Sequence, residues 1–345
     1  MLQGHTFHSF TKPELRTESA YVLSQFVGGL PPVIFLYLTG VTFAFILDSN
    51  ERRGLTAWER WVAALKRARY LFVLAILFRI QLWAFAWPWN SWTDLFKVDV
   101  LNMMGLTLFL LSPLAVVPLI DRVRLSTFMG LAIAVASPLI TQADWTWMHP
   151  FLAAYIVPNF AMFPIFPWAS FVAFGVASGC LLKRCKPENL DRMMQWSAIF
   201  GFVLLYTAQY LSNLPYSLYA KSDFWLDSPG LVFMKLGAVF ILAAFAYLWG
   251  MRPWAGSWSW VRQLGTTSLL VYWVHIELVY GRWFGYFKDR LDTWQVVVFS
   301  VLLILLMIGL SVLQTRLKRL RASDWKGWFS STSSSSPQRV PASTD

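Results

Sequence analysis

Thr293-Trp294-Gln295-Val296-Val297-Val298-Phe299-Ser300-Val301-Leu302-Leu303-Ile304-Leu305-Leu306-Met307-Ile308-Gly309-Leu310-Ser311-Val312-Leu313-Gln314-Thr315 carries no ionisable side chain over 23 residues. At 1.5 Å per residue an α-helix of this length reaches across the roughly 30 Å hydrocarbon core of a bilayer. Eight further runs of this kind precede it, at about 28–47, 70–87, 98–119, 126–142, 160–182, 193–213, 230–250 and 263–281. The fold class expected is therefore all-α: a polytopic transmembrane helix bundle of about nine complete spans. Composition agrees. The chain has 345 residues, of which 57% are hydrophobic and 14% charged, against roughly 25% charged in a soluble domain. Its 20 tryptophans cluster at run ends (Trp83, Trp87, Trp89, Trp92; Trp145, Trp147; Trp254, Trp258, Trp260), where an indole can face hydrocarbon and water at once.

The net charge of +11 does not indicate nucleic acid, because the lysines and arginines sit in short loops between apolar runs rather than on one soluble face. Alternate loops divide 20 to 7 in Lys plus Arg, with Arg79 and Lys235 inside spans. The positive-inside rule puts the richer set in the cytoplasm, with the N-terminus outside and the C-terminus inside, as in a multi-pass protein of the plasma or inner membrane. An outside N-terminus needs an earlier helix or a signal. The opening Met1 to Phe10 is thus expected to be the remnant of a truncated first helix, following an internal start. Two domains are expected: a membrane-embedded domain over 1–315 and a cytoplasmic basic and Ser-rich tail over 316–345, which cannot bury a core and is expected to be disordered. Cys180 and Cys185 make neither a disulfide framework nor a metal pattern.

Polar residues inside hydrocarbon are costly, and each asks for a reason. Ser268, Tyr272 and His275 fall on one face of a helix otherwise made of Leu, Val and Trp. The stripe serves either as interhelical glue or as a site, and an imidazole titrating near neutrality favours a role for His275. Arg79 lies about ten residues into its span, near mid-bilayer. It is either half of an ion pair with Asp99 or Glu277, or an anion clamp. His5 and His8 are three residues apart and share a helix face. They are suited to general-base chemistry at the outer surface, a two-histidine metal pair, or simple solvation. Asp99 with Asn102 at a helix start reads as a cap, with the alternative that Asp99 orients a histidine. The basic run from Arg60 to Arg69 is first a topology determinant touching anionic lipid, and through Arg67 and Arg69 it is also a candidate for cofactor phosphates. No nucleotide-binding loop, zinc signature or Gly-x-Ser-x-Gly elbow is present in the sequence.

Four stretches taken in order resemble the acyltransferases related to heparan-alpha-glucosaminide N-acetyltransferase. Met1-Leu2-Gln3-Gly4-His5-Thr6-Phe7 resembles the outer end of that family's first helix. Phe35-Leu36-Tyr37-Leu38-Thr39-Gly40-Val41-Thr42 resembles its second. Asp99-Val100-Leu101-Asn102-Met103-Met104-Gly105 is similar to its Val-Leu-Gln-Arg-(Ile/Leu)-Gly motif, with Asn102 in place of Gln and Met103 in place of Arg. Gly265-Thr266-Thr267-Ser268-Leu269-Leu270-Val271-Tyr272-Trp273-Val274-His275 is similar to its Gly-x-x-Ser-(Ile/Leu)-Leu-Val-Tyr-x-x-His, and coincides with the polar stripe. The resemblance covers roughly 1–315.

It implies an acetyl-CoA-dependent acyltransferase that moves an acetyl group from the cytoplasm to a sugar or glycan acceptor outside, with acetyl-CoA as donor substrate and no metal. His5, with His8, Asp99 and His275, would form the catalytic group. Arg79, Asn102, Ser268, Tyr272, Arg67 and Arg69 would bind substrate or cofactor. The partners expected are membrane lipid and the glycan acceptor, with homodimerisation left open and no nucleic acid. The competing reading is a transporter or flippase for a glycan or lipid-linked substrate without group transfer; a non-catalytic assembly subunit is a third.

Overall fold

The computed structural model describes residues 1–157, 163–214, 218–252 and 258–332, with the backbone alone for 319 and 321–332. Among these residues there is no β-strand beyond an isolated Thr11–Leu291 bridge. Helix α1 (Leu2–Phe10) is followed by α2 (Ser19–Gly28), α3 (Leu30–Arg52), α4 (Ala57–Ala86), α5 (Val100–Leu111) and α6 (Leu119–Thr141). A short α7 (Pro150–Ala153) leads to α8 (Ile165–Arg184), α9 (Leu190–Ser212) and α10 (Pro229–Gly250). The chain ends with α11 (Trp260–Thr266), α12 (Ser268–Tyr280) and α13 (Thr293–Thr332).

Seven stretches are long and apolar enough to cross a membrane, against the nine expected: Ser19–Arg52, Ala57–Ala86, Trp92–Val116, Leu119–Thr141, Ile165–Arg184, Pro229–Gly250 and Thr293–Lys318. The two that fall short do so for different reasons. At 23 residues α9 has the length, but Gln195, Ser197, Thr207 and Gln209 dilute its apolar character. The expected span over 263–281 is broken at Thr267 (φ −113°, ψ 21°), leaving α12 with 13 residues, about 20 Å. Two other boundaries move outward. α4 merges the basic run from Arg60 and the span from 70 into one 30-residue helix, started by a Thr56–Glu59 capping box. α13 continues past the domain boundary at 315 to Thr332, because the Leu, Lys and Arg of 316–321 favour helix. The tail beyond, from 333, lies outside the described residues.

Two apolar clusters hold the bundle. The larger joins α3, α4, α5, α8 and α10 around Leu36, Phe43, Phe78, Leu101, Met103 and Phe171. At its centre α3 and α8 meet backbone to backbone, where a Cβ on Gly40 would strike the Val172 carbonyl and one on Gly175 the Tyr37 carbonyl. Small residues allow this approach, and dispersion rather than water release drives it in lipid. The smaller cluster joins α1, α12 and α13 through Phe7, Phe10, Val271, Val279, Leu303 and Met307. Helix α12 belongs to both: Tyr272, Trp273 and Ile276 pack on the first cluster, Val271 and Val279 on the second. Exposed tryptophans gather at helix ends (Trp87, Trp89, Trp92, Trp283 and Trp294; Trp58, Trp196, Trp249 and Trp260), as an aromatic belt requires.

Candidate active site at the contact of α1 and α12

Helix α1 is only nine residues long, too short to hold itself in place, and side chains fix it on every side. Gly4 lies against Gly28 of α2, each leaving no room for a Cβ on the other. Gln3 Nε2 donates to Ser24 O at 3.1 Å and Gln25 Nε2 donates to Gly4 O at 3.1 Å. The Thr6 hydroxyl bonds the Ser300 hydroxyl of α13, and Ser9 Oγ donates to Val279 O at 2.9 Å. Beyond α1, Leu291 N donates to Phe10 O at 2.9 Å, and Lys12 Nζ pairs with Asp292 at 2.7 Å. His5 is held in the middle of these ties.

It faces His275. His5 Nδ1 stands 3.0 Å from His275 Nε2, and the rings stack with centroids 5.1 Å apart and planes 15° from parallel. His275 is fully buried, and its Nδ1 is 2.6 Å from the carbonyl of Val271 one turn earlier. A carbonyl only accepts, so His275 Nδ1 carries a proton. In the neutral ring Nε2 then bears the lone pair. That lone pair takes the Nδ1 proton of His5, leaving His5 Nε2 as an unshared base. The fixed order Val271 C=O, His275, His5 sets both tautomers. No carboxylate takes part. The expectation that Asp99 orients a histidine is therefore corrected: a main-chain carbonyl orients His275, and His275 orients His5.

Asp99 does what a helix start asks of it. Its Oδ1 accepts from Leu101 N at 2.9 Å and Asn102 N at 3.1 Å, capping α5. Its Oδ2 lies 3.1 Å from Arg79 Nε, in contact but out of line for a hydrogen bond. Of the two partners considered for Arg79, Asp99 is the one found. The terminal guanidinium nitrogens of Arg79 have no hydrogen-bond partner among the described residues. Asn102 is buried and its Nδ2 donates to Lys97 O at 3.4 Å, so it braces the same helix start.

The stripe on α12 divides between two neighbours. Tyr272 touches His275 ring to ring at 5.9 Å and Phe78 at 5.4 Å. Trp273 Nε1 donates to Gln81 of α4. Ser268, at the first turn, faces an open cleft shared with α13.

Other expected site residues lie elsewhere. His8 is exposed one turn beyond His5 and bonds Tyr280 Oη at 3.3 Å; both histidines touch the Tyr280 ring, but only His5 reaches His275. Arg67 lies over the ring of Tyr70 on its own helix and Arg69 is exposed; neither lines the Ser268 cleft. Glu277 turns away from the dyad and accepts from Trp283 Nε1 at 3.2 Å. Past α12, burial pushes the Lys288 ammonium down, against the pull of Asp289 and Glu277. Among the described residues no three metal-ligating side chains gather.

Sequence reading missed Arg122, counted as a loop charge. It is fully buried in the first turn of α6. Its Nε donates to Leu114 O at 3.0 Å and its Nη2 to Val117 O at 2.8 Å, with Glu51 at 3.2 Å. The signal was present: Pro113 and Pro118 break the preceding helix and strand those carbonyls.

The structure thus joins a bundle of long apolar helices to a stacked pair of histidines between α1 and α12. Residues 1–219 match the family model described as heparan-alpha-glucosaminide N-acetyltransferase, catalytic. The chain belongs to that family, and its membership makes it a multi-pass membrane acetyltransferase. No curated protein matches it. The matched residues include His5, Arg79 and Asp99; His275 and all of α10–α13 lie beyond them.

Proposed function

We propose that the protein transfers an acetyl group from acetyl-CoA on the cytoplasmic side to an amine or hydroxyl of a sugar or glycan acceptor on the opposite side, with His5 as general base. The observation that carries this reading is the 3.0 Å contact of His5 with His275, which leaves His5 Nε2 free. As the acceptor N–H or O–H attacks the thioester carbonyl, His5 Nε2 takes the proton. The C–S bond breaks, the thiolate of CoA receives the proton from His5, and the products are the acetylated sugar and free CoA. His275 accepts from His5 Nδ1 throughout and so stabilises the transient imidazolium. Arg79, paired through Nε with Asp99, offers its terminal nitrogens to negative charge on the cofactor or the oxyanion.

Topology follows the charge count. Lys and Arg concentrate at the α3–α4, α8–α9 and α13 ends, which supports a cytoplasmic C-terminus. In this arrangement α9 and the kinked α11–α12 pair complete nine crossings. Cys185, partly exposed after α8 while Cys180 is buried, should react with a membrane-impermeant maleimide only in permeabilised cells.

The decisive test supplies purified protein with acetyl-labelled acetyl-CoA and a pool of amino sugars and glycans. Labelled acceptor and free CoA are expected, and His5→Ala should lower both by about 10²–10⁴-fold. Solute flux in vesicles with no CoA released under any acceptor would instead select the transporter reading.

A further inference from the structure

Lys235 carries a charge inside a span, and the acetyl-transfer chemistry gives it no part. It stands about 9 Å along α10 from Pro229. A lysine near a helix end ordinarily runs along the outside of its helix to water. The Lys235 side chain instead turns between helices and is half-buried. Its Nζ lies 4.8 Å over the Trp168 ring of α8, and 3.8 Å from where a Cβ on Gly29 would sit, at the α2–α3 junction. No acid and no hydrogen-bond acceptor among the described residues meets it. The ammonium is nonetheless not sealed in, and keeps open surface. A ring attracts an ammonium more weakly than burial repels it, so Trp168 alone does not account for a lysine at this place.

Depth and surroundings say which anion fits. The headgroup layer of a bilayer is roughly 5–8 Å deep on each side, so the ammonium lies at its inner edge, level with lipid phosphates. Phe163 meets Trp168 ring to ring at 4.9 Å. Beside Gly29, the outer face of α2 exposes Leu23, Phe26 and Val27, and Phe26 meets Trp225 at 6.5 Å. A ligand that suits this seam has one anionic group and a hydrocarbon chain. The seam also adjoins the dyad. Gly28, next to Gly29, is the residue on which Gly4 packs, and Gly4 precedes His5. These steps put Lys235 Nζ within about 17 Å of the His5 Cα.

We propose that the seam of α10, α8 and the α2–α3 junction binds the phosphate of a lipid headgroup, with Lys235 as counter-ion, Trp168 as wall and the lipid chains along the exposed face of α2. An ammonium acts on phosphate as a point charge, so another cation at this position serves and a neutral side chain does not. Two lipids carry this chemistry: a bilayer phospholipid, and a lipid-linked sugar phosphate that serves as acceptor. The second rests on the acetyl-transfer reading; the site itself does not.

The test is native mass spectrometry of the delipidated full chain, titrated with phosphatidic acid and with diacylglycerol of the same chains. Wild type is compared with Lys235→Met, Lys235→Gln and Lys235→Arg. Lys235→Met and Lys235→Gln should weaken the tightest phosphatidic acid site about tenfold or more, Lys235→Arg should keep it, and diacylglycerol should bind all four alike. The neutral variants should melt near wild type, because Lys235 makes no ion pair; if one fails to fold, the other carries the comparison. The proposal is overturned if wild type binds phosphatidic acid no better than diacylglycerol, if the neutral variants bind it as wild type does, or if they lose both lipids together. Turnover with acetyl-CoA and a polyprenyl-phosphate-linked amino sugar separates the two sources. A raised KM for that acceptor in Lys235→Gln assigns the site to the acceptor; an unchanged KM beside lost phosphatidic acid binding assigns it to a resident phospholipid. A wild type that binds the lipid but turns over no acceptor sinks acetyl transfer and leaves the site standing.

Discussion

Helices α8 and α12 both run through the interior of the bundle, and they are built on opposite principles. α8 is a run of small and apolar residues, from Ala169 through Gly175 to Gly179, buried along most of its length against α3 and α6. Its contacts are dry and close. α12 is short, kinked at its start and shared between two apolar clusters, and it carries Tyr272 and a fully buried His275. The first helix holds the protein together in a solvent that offers no hydrophobic drive between helices. The second spends stability on polar groups that hydrocarbon penalises, which is the usual mark of a site. Position at the core therefore does not separate scaffold from chemistry here; side-chain volume and polarity do.

That contrast can be broken at its strong end first. Gly175→Val drives a branched side chain into the Tyr37 carbonyl, which the α3 backbone cannot yield. We expect a cost upwards of about 3 kcal/mol and no monodisperse protein by size exclusion in detergent; a normally folded variant would show the close approach to be dispensable. On α12 the expected pattern is reversed. His275→Ala and His5→Ala should fold, with melting temperatures near wild type, while turnover falls by about 10²–10⁴-fold. Equal loss of stability in these variants would make the stripe interhelical glue.

Asp99→Ala tests the region between the two. It removes the α5 cap and leaves Arg79 unpaired, and should cost about 2–3 kcal/mol. Asp99→Asn keeps an oxygen for the cap and should cost clearly less; equal losses would place the whole effect on the charge. The smallest change is Thr6→Val, which removes the tie to Ser300. Loss of one buried hydrogen bond is worth about 1 kcal/mol, and thermal unfolding should show it, together with weaker activity as His5 loosens.

Much of this was legible in the sequence. Long uncharged runs such as 293–315 define spans because lipid cannot hydrogen-bond a backbone, and helical spacing alone put Ser268, Tyr272 and His275 on one face. The cap at Asp99 followed from an acid at a helix start, whereas the sequence left Arg79 between an ion pair and an anion clamp, and the structure supplies the partner, Asp99. The nine-span count is not legible in this way, because apolarity does not register a break such as the one at Thr267, and a count of loop charges misses Arg122 unless Pro113 and Pro118 are read for the carbonyls they free.

What the chain determined by itself is its solvent, its helical content and the residue types that chemistry would need. What only the tertiary structure decided is which of them meet. His5 and His275 are 270 residues apart, and no local rule relates them. Their contact depends on α1 being tied to α2, α13 and the 289–292 turn, and on a carbonyl at Val271 that any residue would have supplied. Sequence carries the acid–base groups; the order of protons along them is a property of distance and direction, which exists only once the helices have packed.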